Sequence, residues 1–178
     1  MNFFKKMSGI TVSPPRVHVA DMVWSWIGAF VGIAAIGLLN HGILGQTDSV
    51  LMVGSFGASS VLVYGAIRSP LSQPRNVLGG HILSALIGVA CYKAFSAHVW
   101  LAGSLAVSWS IVAMQATRTL HPPAGATALI AVVGSPKIHD LGLVYALFPI
   151  GAGAMVLLVV ALIVNNIPRS RRYPEFWF

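Results

Sequence analysis

Charge is what this 178-residue sequence has least of: 8% of its residues are charged, where a soluble domain carries roughly a quarter. Acid is scarcer than base, with only Asp21, Asp48, Asp140 and Glu175 in the whole chain. The single cysteine, Cys91, excludes an intrachain disulfide. The six histidines are scattered and none stands at ligand spacing from a carboxylate, so neither a metal nor a cofactor is expected. Convergent carboxylates and a nucleophile–base pair are also missing, so no enzyme is expected. Apolar residues fill the gap: 56% of the chain is hydrophobic, at a mean hydropathy of +0.80. Charge in hydrocarbon is costly, so this composition describes a polytopic membrane protein in a lipid bilayer.

The net charge of +7 does not describe a nucleic-acid groove, because the basic residues lie in short loops and at both ends. Residues 1–20 lack the apolar core of a secretory signal and read as a cytoplasmic leader. Six apolar segments follow, at 22–40, 51–67, 77–92, 99–117, 123–134 and 141–164. A crossing takes about 20 residues, so the second is marginal and the fifth is short. If all six cross, one side receives nine basic residues and the other only Lys93 and Lys137. If the two short segments are re-entrant, the split weakens to seven against four. The positive-inside rule therefore favours six crossings with both termini cytoplasmic. The membrane domain is expected over 21–168, with halves at 21–95 and 96–168, and a basic, aromatic tail over 169–178.

The run His121-Pro122-Pro123-Ala124-Gly125-Ala126-Thr127 is the most distinctive in the chain. Its second half is echoed 68 residues earlier by Gly57-Ala58-Ser59, followed by Ser60. Each copy leads into an apolar stretch that ends in Ser-Pro. A repeat of three spans inverts its second copy, so the fold expected is all-α: a 3+3 inverted repeat with a short interrupted helix in each half. Pro122 and Pro123 suit a first helical turn, and Ser55 suits an N-cap. Two helix N-termini converging from opposite faces make an anion site without a buried lysine. Gly57 and Gly125 leave room for close approach of a ligand to that backbone. The other use of such small residues is helix packing, which is also the expectation for Gly28 and Gly32.

Other polar residues sit at membrane depth. His81 follows Gly79-Gly80, where a histidine either relays protons or satisfies a neighbouring helix. Ser104, Ser108, Gln115 and Thr119 fall near one helical face, which lines a pathway or bonds across helices. Arg75 and Arg118 set topology and draw anions to the inner mouth.

These motifs together resemble the HPP family of small integral membrane proteins. The residues that carry the resemblance are 56–59, the run Ser69-Pro70-Leu71-Ser72-Gln73-Pro74-Arg75-Asn76, Gly80-His81, the signature at 121–129, and Asn165-Asn166 with Arg172-Tyr173-Pro174. The family is usually described with four spans, against the six segments counted here. Its members in chloroplasts and cyanobacteria are associated with nitrite transport, which implies a passive or proton-linked carrier of nitrite or a similar small anion. Its binding residues are expected at Gly57, Ala58, Ser59, Ser60, His121, Pro122, Pro123, Gly125, Ala126 and Thr127. His121 gates or carries a proton, and His81, Gln73, Arg75, Asn76, Ser108, Gln115 and Arg118 are the pathway residues. A pore for small neutral solutes and a non-transporting scaffold subunit are the alternatives. A homodimer or trimer in a bacterial inner membrane, with both termini cytoplasmic, completes the expectation.

Overall fold

The computed structural model describes residues 15–40 and 46–178, together with Met7 and Ser13. Among these residues every regular element is helical. In chain order they are α1 (Val19–Asn40), α2 (Gln46–Ser60), α3 (Pro74–Phe95), α4 (Val99–Ala116), α5 (Pro123–Val133), α6 (Pro136–Leu141) and α7 (Ala152–Val164). α2 continues directly into a π turn, Val61–Gly65, and α7 is entered through another, Ala146–Gly151. Prolines open α3, α5 and α6, where a missing N–H costs nothing.

Four stretches are long and apolar enough to cross a membrane: Val19–Asn40, Pro74–Phe95, Val99–Ala116 and Ala146–Val164. Large apolar side chains such as Trp26, Phe30, Leu38, Trp109 and Ile163 are exposed on the outside, as lipid-facing surfaces require. The chain is an integral membrane protein.

The second apolar segment starts earlier than its hydropathy suggests. Asp48 breaks the apolar run in the sequence, yet it is buried inside α2. Ser135 accounts for this: its backbone N–H donates to the Asp48 carboxylate at 3.0 Å and its hydroxyl donates to the other oxygen. The fifth segment is short, as the sequence predicts. With 11 residues, α5 rises about 16 Å, roughly half a bilayer core.

The helix ends gather at two poles. At one, Arg75 donates to the Thr117 carbonyl at 2.8 Å and Asn76 to that of Leu120 at 2.9 Å. The Tyr173 hydroxyl donates to the Ser72 carbonyl at 2.7 Å, tying the C-terminal segment to the same pole. At the other, the Asp48–Ser135 pair lies with the stacked rings of Tyr92 and His139, whose centroids are 3.6 Å apart.

Small residues set how closely the helices approach. A Cβ on Gly28 or Gly32 would run into the ring of Tyr64, so the pair receives a side chain from the π turn that continues α2, as a packing site. On α3, a Cβ at Gly80 would stand 2.8 Å from the Thr119 carbonyl and 2.9 Å from Cβ of His121. One at Gly88 would stand 2.5 Å from the Ala128 carbonyl of α5. These contacts press the chain from Thr119 through α5 against α3 and place His121 beside His81.

Candidate functional site

Five polar side chains meet in the interior: Ser55 and Ser59 from α2, His81 from α3, His121 from the segment before α5, and Thr127 from α5. None is more than 1% exposed. Phe56 packs against the His81 ring at a centroid distance of 5.1 Å, and the two imidazoles meet edge to face at 5.0 Å.

The hydrogen bonds form a chain whose direction is dictated by its end. His121 Nδ1 lies 2.8 Å from the Leu71 carbonyl, which can only accept, so Nδ1 carries the proton and Nε2 accepts. The Ser59 hydroxyl therefore donates to His121 Nε2 at 2.9 Å. Its own oxygen then accepts from His81 Nε2 at 2.8 Å. His81 Nδ1 is left to accept from the Thr127 hydroxyl, also at 2.8 Å. Thr127 in turn accepts from Ser55 at 2.8 Å, and Ser55 also lies 3.2 Å from the Pro123 carbonyl. The Tyr145 hydroxyl donates to the Thr127 carbonyl at 3.1 Å. Both imidazoles are satisfied in their neutral forms, and every proton in the chain has a place.

Neutrality matters because, among the described residues, no charged group is hydrogen-bonded to the cluster. Among the described residues the cluster includes no carboxylate. Asp48 is bonded to Ser135, Asp21 lies against Arg171 and Glu175 against Arg68. The described residues hold no group of three or more His, Cys, Asp or Glu able to take a metal. The chemistry on offer is proton relay and hydrogen bonding to a small polar guest.

The structure redistributes the residues singled out from the sequence. Ser59, His81, His121 and Thr127 come together. Pro123 contributes its carbonyl, and Ser60 is buried beside them with its hydroxyl unpaired among the described residues. Gly57 and Gly125 are half-buried, and Pro122, Ala58 and Ala126 are exposed, so these five border the cluster without lining it. Ser55 is not an N-cap. It is the tenth residue of a continuous helix, so the backbone N–H groups around Gly57 are spent on α2 itself. At the start of α5 the N–H groups of Ala124 and Gly125 donate to the carbonyls of His121 and Pro122 at 2.9 and 3.0 Å. The convergence of two free helix N-termini is thus corrected: side chains, not backbone donors, meet here.

The pathway residues divide in the same way. Arg75 and Asn76 hold the 117–120 segment onto α3. Gln73 is fully buried and donates to the Ile67 and Ser69 carbonyls at 3.0 and 2.8 Å, a loop staple with no free face. Arg118 is exposed with φ of 57°, at the reversal after α4. Ser108 and Gln115 face outward, and the Ser104 and Ser108 hydroxyls return to carbonyls four residues earlier at 2.8 and 2.7 Å. A serine satisfied by its own helix turns to lipid at little cost. Sequence reasoning missed Ser55 as a cluster member, the Leu71 carbonyl and Tyr145.

Comparison with known proteins agrees with this membrane architecture. A family model described as HPP, transmembrane region, matches residues 14–174. A transmembrane protein of Dictyostelium discoideum is 41% identical over 181 residues, covering all of this chain and 58% of its own length. A second transmembrane protein of that organism is 39% identical over 183 residues, covering all of this chain and 64% of its own. The chain thus spans about three fifths of the length of the curated relatives it matches. No solved structure matches. With the signature histidine built into the buried cluster and the family model covering nearly the whole chain, the protein belongs to the HPP transmembrane family.

Proposed function

We propose that the protein carries a small inorganic anion, nitrite being the expected substrate, together with a proton, and that Ser59, His81, His121 and Thr127 form the site. The observation that carries this reading is two buried imidazoles joined through one serine, with no carboxylate bonded to them among the described residues. A proton added at His121 Nε2 turns that atom from acceptor to donor. Ser59 then receives two N–H groups and swings its own proton to the Ser55 carbonyl, 3.3 Å away. The hydrogen bonds close again, but one positive charge remains in a low-dielectric interior, at a cost of several kcal/mol. A monovalent anion of nitrite's size removes that charge and accepts from the hydroxyl and imidazole donors. Proton and anion enter as a neutral pair, and the empty site closes on itself.

The six-crossing, inverted 3+3 arrangement belongs to the same proposal. It is supported by the two poles, one carrying Arg68, Arg75 and Arg171 and the other Lys93 and Lys137. It is further supported by the two motifs, whose burial matches position for position from 55 with 123 to 61 with 129. The arginine-rich pole is then the cytoplasmic one, with both termini.

The test is nitrite uptake into proteoliposomes with and without a pH gradient, acid outside. Saturable uptake that rises with the gradient is expected. Saturable uptake indifferent to pH removes the proton coupling, and swelling with uncharged solutes in place of anion flux supports a neutral-solute pore. No flux of any small solute would falsify the transport reading.

A further inference from the structure

A charged donor that is buried and unpaired among the described residues lies away from the cluster. Beyond α7 the chain folds back against the start of α1 and the loop that follows the π turn Val61–Gly65, closing a cleft of about 640 Å³. Arg16, Asp21, Ser25, Arg68, Ser170 and Arg171 line it. Arg171 forms its floor, with a side chain only 5% exposed. Nη2 donates to the Tyr64 carbonyl and to the Ser25 hydroxyl, the latter at 3.3 Å. Nε lies 4.0 Å from Asp21, whose carboxylate also accepts from Ser170 at 3.3 Å. Nη1 is buried and has no hydrogen-bond partner among the described residues.

An unpaired buried donor on a charged group is costly, and costs more than a neutral one. Burial lowers the pKa of Arg171 and the Asp21 carboxylate raises it, and an arginine stays charged through both. Three arginines face Asp21 in the lining, and with Glu175 paired to Arg68 at 3.9 Å the cleft keeps one net positive charge. Beside it, Val19, Met22, Val23, Trp26 and Phe30 of α1 are exposed and apolar.

We propose that this cleft binds a phosphate-type oxyanion, with Arg171 Nη1 as the deep donor and Arg16 and Arg68 at the mouth. A tetrahedral oxyanion offers several acceptor oxygens to a planar guanidinium, and Arg binds such groups with directed hydrogen bonds. The group comes either from an anionic phospholipid headgroup, whose acyl chains would lie on the apolar face of α1, or from free phosphate.

The purified full chain in neutral detergent is titrated while its thermal midpoint is followed, since a ligand of the native state raises it. One arm adds sodium phosphate against sodium chloride at equal ionic strength. The other adds phosphatidylglycerol against phosphatidylcholine in mixed micelles. A saturable rise with phosphate assigns the site to a free oxyanion; a rise with phosphatidylglycerol alone assigns it to a headgroup. Arg171→Gln should weaken the rise about tenfold or more. Should that variant fail to fold, two changes at the rim decide. Arg16→Gln should weaken binding, and Asp21→Asn, which removes a like charge, should tighten it. The proposal is overturned if neither probe exceeds its control, or if the folded variants all respond as the wild type does.

Discussion

The motifs at 55–61 and 123–129 match in burial at every position, yet their backbones serve different purposes. The first lies in the second half of a long helix that ends in a π turn; the second opens a short helix behind two prolines. Equal burial with unequal backbone shows which part of the motif the structure uses. Positions 59 and 127 put hydroxyls into the interior, and both bond to imidazoles. Positions 57 and 125 carry glycines near which little is packed: a Cβ at Gly57 meets nothing within 4 Å, and one at Gly125 meets only Val107, at 3.8 Å. The hydroxyls, rather than the glycines, are the part of the repeat that enters the buried hydrogen-bond network.

That contrast breaks most readily at Ser59. Ser59→Ala strands His121 Nε2 and the His81 N–H together, so a loss of about 2–5 kcal/mol is expected, with no anion uptake. Thermal midpoints and proteoliposome flux measure the two effects separately. Thr127→Val keeps the volume and strands His81 Nδ1, while the Ser55 hydroxyl, losing Thr127 as acceptor, turns to the Pro123 carbonyl at 3.2 Å; a cost of about 1–3 kcal/mol is expected, and Thr127→Ser should restore both stability and flux. Gly88→Ala sharpens the comparison from the packing side. Its Cβ would press on the Ala128 carbonyl, and a cost of about 1–3 kcal/mol in stability is expected without loss of proton coupling in the protein that folds. Gly57→Ala and Gly125→Ala should do least, gaining up to about 1 kcal/mol from helix propensity and leaving uptake unchanged. A large loss of uptake in either would return the glycines to the binding site.

Much of the fold was legible because long apolar runs, prolines and Ser-Pro ends punctuate the chain. The α5 start at Pro123 and the α4 end near Thr117 fall where local chemistry puts them. The start of α2 did not, because Asp48 looks like a loop residue until Ser135, 87 residues away, supplies its partners. The site divides in the same way. His81, His121, Ser59 and Thr127 announce themselves as polar groups in apolar surroundings. The Leu71 carbonyl, which fixes the tautomer of His121, bears no mark in the sequence, because every residue has a carbonyl. Ser108 and Gln115 show the converse: helical period identifies a face but not what the face meets. Ser55 was visible as a polar residue at a motif edge, but its place as the tenth residue of a helix depends on where α2 begins.

The most direct measurement is the proton-to-nitrite ratio of uptake, read with a pH dye inside proteoliposomes, for the wild type and for Ser59→Ala. The wild type should move one proton with each anion, and the variant, reconstituted at equal density, should move neither. Nitrite entering without a proton, or the variant matching the wild type, would contradict a site built on the Ser59-bridged histidine pair.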